Sequence, residues 1–267
     1  MIYKRFSDLL AAYHDLESGD LFIGQIPASH LKHVIMADLT ARGVVLIPSA
    51  LAQVLNASKV AQALVLQPWM APHTLAITRR KGLLDALDNY RRQGIEKAVT
   101  KEDRLHCGHG VRMWPDLELL YSCLGLDATA FPFVLQPLLG PFVDLRVIWV
   151  GDFHEAYCRD HPTNFRKNLA GGAESRPHKL SARQRRFCRQ VMERSQMPYA
   201  HIDLMLMPND AIHLSEIRMQ GGIHGAQISR PELESMKATR RQALCDSILH
   251  GTVATALRRE QGSTGSV

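Results

Sequence analysis

Asp203 and Glu216 are the two residues of this 267-residue chain whose types and spacing speak most directly of chemistry. Ile202 and Leu204 flank the first, and Leu214 and Ile217 lie beside the second. The apolar segments 202–207 and 212–217 are separated by Pro208-Asn209-Asp210, a turn sequence, so they read as a β-hairpin. Antiparallel pairing then sets the two carboxylates side by side on neighbouring strands. Such a pair repels itself unless a cation lies between its members. A hard divalent ion such as magnesium, itself carrying phosphate oxygens, would resolve the repulsion. The same carboxylates can instead be satisfied by Arg146, Arg218 or His201.

Two further groups of residues suit a phosphorylated ligand. Lys101 closes a short apolar strand and is followed by a polar loop, 102–110, holding Gly108 and Gly110. A lysine leaving a strand beside a flexible loop brings one positive charge and several backbone N–H groups to a polyphosphate, or it is a surface lysine next to a turn. The other group is Asp144, Arg146, Arg159, Asn164, Arg166, Lys167, Asn168, Gly171 and Gly172. Forked guanidiniums and amides near glycines bind phosphate or carboxylate oxygens, although a solvated basic loop has the same composition.

The elements that must position these residues follow from periodicity and turn chemistry. At the start, a helix over 6–16, a strand over 21–26, a helix over 30–41 and the apolar run GVVLIP form a strand–helix–strand order suited to a parallel sheet. Helices are expected over 57–66 and 82–93, with Pro68 and Pro72 breaking the pattern between them. Strands are expected over 98–101 and 111–114, and Pro115 fits the first turn of a helix over 116–124. Gly151-Asp152 joins strands 146–150 and 153–157 as a two-residue hairpin. Ser181 and Gln184 form a capping box ahead of a stripe of Phe187, Cys188, Val191 and Met192. A last helix runs from near Pro231 to about residue 259, with a break expected near Gly251, and 261–267 reads as a frayed tail.

Composition removes several classes. Hydrophobic content of 46% and charged content of 22% exclude a disordered, collagenous or coiled-coil chain. The most apolar long segment, 131–150, carries Pro132, Pro137, Pro141, Asp144 and Arg146, which does not suit a membrane span. The opening MIYKRFSDLL lacks the apolar region of a secretory signal, and the five cysteines are odd in number with no C-x-x-C pair, so a cytoplasmic location is expected. The thirteen histidines offer no H-x-x-x-H ligand pair, since His106 and His109 stand three apart in a loop, and no G-x-S-x-G elbow occurs. A net charge of +6 comes from clusters at 183–186, 237–241 and 258–259, each in a helical pattern. Solvated helix faces account for them better than a nucleic-acid groove, because no basic strand interleaved with aromatics is present.

The order of the motifs adds what no single one carries. The run L-Q-P-L-L-G-P-F-V-D-L-R-V-I-W-V-G-D, then C-R-D-H-P-T-N-F-R-K-N-L-A-G-G, then H-I-D-L-M and S-E-I-R-M-Q-G-G-I-H-G-A resembles the C-terminal core of ATP-grasp ligases, the RimK type above all. N-A-S-K-V-A and A-V-T-K resemble the two nucleotide-lysine segments of that family, so the resemblance spans about 43–228. It implies an ATP-grasp fold: two α+β subdomains, 48–133 and 134–260, that clasp ATP behind a short α/β unit over 1–47. It implies an ATP-dependent carboxylate–amine (or thiol) ligase that works through an acyl phosphate on small-molecule or peptide substrates. The alternative is an impaired ATP-binding module acting through a protein partner.

Carried over position by position, Lys59 and Lys101 would contact the ATP phosphates under the 102–110 flap with Gly108 and Gly110. Gln136, Leu138 and Leu139 would form the adenine hinge, Asp203 and Glu216 would hold magnesium, and Arg146, Arg159 and Asn168 would face the acyl phosphate and acceptor. The sequence departs from the family where Arg218 stands two residues after the metal glutamate in place of asparagine, and where Pro137 replaces a hinge glutamate. Arginine cannot ligate a cation, so either one magnesium is lost or Arg218 itself contacts a phosphate. The N-terminal unit is also short for the family, which leaves room for a homodimer that lends the missing substrate wall.

Overall fold

The computed structural model describes residues 1–105, 110–160 and 174–263, with side chains through residue 250. The chain divides into two compact units.

The first unit combines Met1–Gln53, Gln196–Tyr199 and the chain from Arg230 onward. Its sheet has the order β1 (Ile2–Tyr3), β2 (Leu21–Ile23), β3 (Val45–Ile47), and both pairings are parallel, as the strand–helix–strand order requires. Helices α1 (Phe6–Ala11) and α2 (Lys32–Ala41) provide the crossovers. Helix α1 ends five residues earlier than periodicity suggests, and its closing turn is followed by Gly19 at φ +92. The two ends of the chain meet here: α8 (Arg230–Ser263) packs on β2 and β3, with Cys245 buried against Leu21 and Ile47. It is helical through Gly251 without the expected break. Lys237 is buried in this unit, bonded to Glu234 and lying over the Tyr199 ring.

The second unit, Val54–Ser195 with Ala200–Ser229, holds two antiparallel sheets. Helix α3 (Ala50–Ala57), which the sequence pattern did not suggest, leads to α4 (Lys59–Val65). The smaller sheet has the order β4 (Leu75–Ile77), β7 (Phe133–Pro137), β5 (Ala98–Glu102), β6 (Val111–Trp114). On one of its faces α5 (Arg80–Arg92) and α6 (Leu117–Leu124) build a core of Leu83, Leu87, Tyr90, Leu117 and Leu120 against Ala98, Trp114, Phe133 and Leu135. Asp116 caps α6 by accepting the Leu119 N–H at 2.7 Å, so Pro115 stands just ahead of the cap rather than inside the first turn.

The larger sheet has the order β10 (Glu174–His178), β9 (Phe153–Asp160), β8 (Val143–Val150), β11 (Tyr199–Leu206), β12 (Ile212–Arg218). Gly151, at φ +59, supplies the left-handed residue of the β8–β9 hairpin, where Val150 pairs Phe153. Helix α7 (Ala182–Ser195) opens on the expected reciprocal box: Ser181 N–H donates to Gln184 Oε1, and Gln184 N–H to Ser181 Oγ. Cys188, Val191 and Met192 form its buried stripe, with Phe187 half-buried. Among the described residues no helix is long and apolar enough to cross a membrane.

Candidate functional site

Strand alternation decides which side chains can meet. On β5, Ala98 enters the helix-covered core and Thr100 accepts the Trp114 indole N–H at 2.8 Å, so Lys101 points to the opposite face. On the larger sheet, Asp144 and Arg146 share a face of β8, as do Tyr157 and Arg159 on β9, His201 and Asp203 on β11, and Glu216 and Arg218 on β12. Register aligns them across the strands: Asp144 with Arg159, Arg146 with Tyr157, Asp203 with Glu216, and His201 with Arg218. The hairpin expectation for the two carboxylates is therefore met. A β-bulge follows Asp203, so that Ser215 is the extra residue between Glu216 and Leu214. Lys101 Nζ donates to the Ser215 carbonyl and Oγ, both at 3.3 Å, and so joins the two sheets.

The electrostatics centre on an alternating chain of charge. Arg146 forks onto Asp203, Nε to Oδ1 and Nη2 to Oδ2, each at 2.7 Å. Arg159 Nη2 donates to Asp144 Oδ1 at 2.7 Å and lies 3.2 Å from Asp203 Oδ2. Burial works to raise Asp203, but the Arg146 and Arg159 charges outweigh it and hold this carboxyl well below the usual range. Asp144 goes the other way: burial pushes it up, and the Arg159 charge offsets this only in part. Arg146 Nη1 also donates to the Gly222 carbonyl at 3.2 Å, beside the Tyr157 hydroxyl at 3.3 Å, which pins the loop after β12. Burial lowers the Lys101 pKa against the raising pull of Glu216.

Helix α4 brings the other lysine. Ser58 caps it by accepting the Ala61 N–H at 3.0 Å. Asp103, just after β5, accepts both the Ser58 hydroxyl at 2.9 Å and the Val60 N–H at 3.1 Å on one oxygen. Lys59 Nζ reaches the Leu105 carbonyl and lies 3.9 Å from Glu216, whose other neighbour is Arg218 Nη1 at 3.6 Å. The loop turns sharply at Arg104, φ +60, and closes where Glu102 N–H meets the Gly110 carbonyl at 2.9 Å. A Cβ at Gly110 would stand 2.7 Å from the Glu102 Cβ, so the close approach of the two arms needs glycine.

Lys59, Lys101, Arg146, Arg159, Asp203, Glu216 and Arg218 thus converge on one region. Gly108 and Asn168 lie outside the described residues, as do Asn164, Arg166, Lys167, Gly171 and Gly172. At the end of β7, where an adenine hinge is expected, Gln136 is buried with its amide 3.9 Å from Met205 Sδ, and the Leu138 N–H donates to the Lys97 carbonyl at 2.9 Å. Leu139 follows as a half-buried residue. The sequence pattern does not mark Asp103, nor Gln62 of α4, whose side-chain amide bonds the Ile217 backbone at 2.7 and 3.0 Å. Their signals were faint: a carboxylate next to the lysine strand, and one polar residue inside the apolar run of α4.

Magnesium fits the donor set in one way only. Among the described residues no three His, Cys, Asp or Glu side chains could together hold a metal ion. Among the described residues the nearest cation to Glu216 is at 3.6 Å, and Asp203 Oδ1 keeps a lone pair beyond the Arg146 bond. One or two carboxylates, completed by phosphate oxygens and water, is the usual protein share of a magnesium site.

No protein-family model and no curated protein matches the chain. Solved structures do. A D-alanine–D-alanine ligase from Coxiella burnetii matches with a TM-score of 0.59 and 8% identity over 90% of this chain and 72% of that one. The ATP-grasp ligase PsnB, complexed with minimal precursor, Mg and ADP, matches at 0.56 and 14% over 82% and 77%. A RiPP-associated ATP-grasp ligase from Chryseobacterium gregarium, in complex with ADP and a leader and core peptide, matches at 0.56 and 13% over 85% and 76%. Identities this low carry the architecture alone. The fold is the ATP-grasp fold, α+β with antiparallel sheets.

Proposed function

We propose that the protein is an ATP-dependent ligase of the RimK-like carboxylate–amine type. The observation that carries this reading is the convergence of Lys59, Lys101 and Glu216 where α4, β5 and β12 meet in an ATP-grasp fold. Lys59 and Lys101 neutralise the ATP phosphates beneath the 102–110 loop. Adenine takes backbone groups of the 136–139 segment, the Leu139 N–H among them, since the Leu138 N–H is engaged with Lys97 and Gln136 pairs with Val99. Glu216 and Asp203 would hold one magnesium ion, which when bound would supply charge neutralisation on the transferred phosphoryl group. Arg218 takes a phosphate oxygen in place of a second metal. A substrate carboxylate attacks the γ-phosphorus and ADP leaves. An amine then attacks the acyl carbon and phosphate leaves. The protein contributes alignment and electrostatics rather than a covalent nucleophile.

Arg146 and Arg159 orient the reacting groups through Asp203 and Asp144, because their guanidiniums are already committed to those carboxylates. They are positioning residues, and the acceptor-facing role passes to the segment containing Asn168. The substrates are a small-molecule or peptide carboxylate and an amine, and the setting is the cytoplasm. Incubation with ATP, magnesium and pools of amino acids and peptides should give amine-dependent ADP release, absent in Glu216→Ala. Normal turnover by that variant would remove Glu216 from the reaction.

A second reading, an ATP-binding module that no longer ligates, is favoured by one observation: Glu216 stands between two cations, Arg218 and Lys59. It predicts saturable ATP binding with no ADP release in any pool.

A further inference from the structure

Strand β12 ends the order of the larger sheet, and its outer edge is met by a single bridge from Met70 to Leu214 instead of a further strand, which leaves the groups nearer Ile217 to other partners. Gln62 of α4 is that partner at the centre of the site. Its Oε1 accepts the Ile217 N–H at 3.0 Å, and its Nε2 donates to the Ile217 carbonyl at 2.7 Å. The side-chain amide thus pairs both groups of one residue, as a neighbouring strand would. The same Nε2 donates to the Leu55 carbonyl at 2.7 Å, which ties the end of α3 into the arrangement. Two residues on, Asn56 Oδ1 accepts the Met219 N–H at 2.8 Å. Gln62 is 2% exposed, so no water substitutes for these bonds.

Ile217 lies between Glu216 and Arg218, whose side chains project together from the opposite side of the pleat. Lys59 stands less than one turn before Gln62 on the same helix. We infer that Gln62 is a positioning residue, a surrogate strand that fixes the β12 edge to α4 and so sets Glu216 and Arg218 against Lys59. The inference rests on the nucleotide-site reading above and adds the device that holds the carboxylate and the lysine in one rigid block. Without Gln62 both outward-facing backbone groups of Ile217 lose their partner, and Glu216 gains freedom that magnesium binding would have to remove.

The test compares the full-length protein with Gln62→Met, which keeps the length of the side chain and removes all three bonds. Tyr90→Phe serves as a control for lost stability, since it removes a bond to the His73 carbonyl in the remote core of the smaller sheet. ADP affinity is measured by calorimetry in EDTA and in excess magnesium. The wild type and Tyr90→Phe should show the same magnesium-dependent gain. Gln62→Met should lose roughly ten- to a hundredfold of the gain, whatever its affinity in EDTA, the usual effect of removing the support of a metal ligand. Hydrogen exchange supplies a ligand-free readout: the Ile217 amide should be protected in the wild type and exposed in the variant. If Gln62→Met does not fold, Gln62→Leu, which removes the same three bonds with a different apolar shape, replaces it. An unprotected Ile217 amide in the wild type, or an unchanged magnesium gain in the variant, overturns the inference. A wild type that binds no ADP overturns the nucleotide reading itself and the role in magnesium binding with it, while exchange at Ile217 still reports separately on the clamp.

Discussion

Replacing Arg146 with methionine should damage the fold more than any other single change at the site. The substitution removes two 2.7 Å bonds to Asp203 and leaves that carboxylate, whose side chain is 14% exposed, among the described residues with the Arg159 contact at 3.2 Å, itself shared with Asp144. Two charge-assisted bonds at about 1.5–3 kcal/mol each agree with the roughly 3–5 kcal/mol typical of removing one partner from a buried pair. At about 2–4 °C per kcal/mol for a unit of this size, the midpoint should fall by roughly 6–20 °C. Adding Asp203→Asn removes the stranded charge, so the double variant should be more stable than Arg146→Met alone. The deficit should also depend on pH with a defined sign. Asp203 has a depressed pKa in the folded protein, so its stabilisation is present above the unfolded carboxylate value of about 3.9 and is lost in stronger acid. The gap between wild type and Arg146→Met should therefore be widest near neutrality and close as pH falls below about 4. Urea denaturation of the four proteins of the cycle reads all of this. A loss under about 1 kcal/mol at neutral pH, or an Asp203→Asn cost that adds to the Arg146 cost, would refute the reasoning.

Three other outcomes follow from the same geometry. Lys101→Met removes a charge whose burial is unfavourable, so the unliganded protein should be no less stable while ADP affinity falls by at least about tenfold in calorimetry, a cost of about 1.4 kcal/mol; unchanged affinity would remove Lys101 from the nucleotide site. Asp103→Asn keeps the oxygen that accepts from Ser58 and Val60, so it should cost less than Asp103→Ala, for which about 1–3 kcal/mol is expected from the stranded N–H; equal costs by urea denaturation would contradict this. Asp144 is raised in the folded state to about 6, so its contribution is complete below the ordinary carboxylate value and is lost as pH rises through about 6. In a carbon-13 titration it should ionise after Asp203, and Asp144→Asn should flatten the stability profile over that interval; simultaneous ionisation would contradict the assignment.

The parts of the fold that were legible in the sequence are those set by local rules. The Gly151 and Pro208-Asn209-Asp210 turns fixed both hairpins, and alternation around Asp203 and Glu216 fixed which face they share. Ser181 and Gln184 marked the start of α7 through a two-bond motif confined to four residues. What was hidden depends on residues far apart in the chain. The packing of α8 on β2 and β3 joins segments some two hundred residues apart, and nothing in its own composition specifies that partner. Helix α3 and strand β4 are short and mostly apolar, where period 3.6 and period 2 cannot be told apart. At the site, the residue types were readable but their commitments were not. Arg146 was readable both as facing substrate and as a partner of the Asp203 carboxylate, and only tertiary packing brings it and Arg159 within 3 Å of their carboxylates. Gln62 shows the same limit, since its backbone partner stands 155 residues away.

The central claim is that this fold and these cations hold a nucleotide, and thermal unfolding with ATP, with and without magnesium, tests it most directly. At a hundred times its dissociation constant a ligand adds about 2.7 kcal/mol of stability, which in a unit of this size is a shift of roughly 5–11 °C. ATP should give a saturable rise that grows when magnesium is present. No rise at any ATP concentration, with or without the metal, would contradict it.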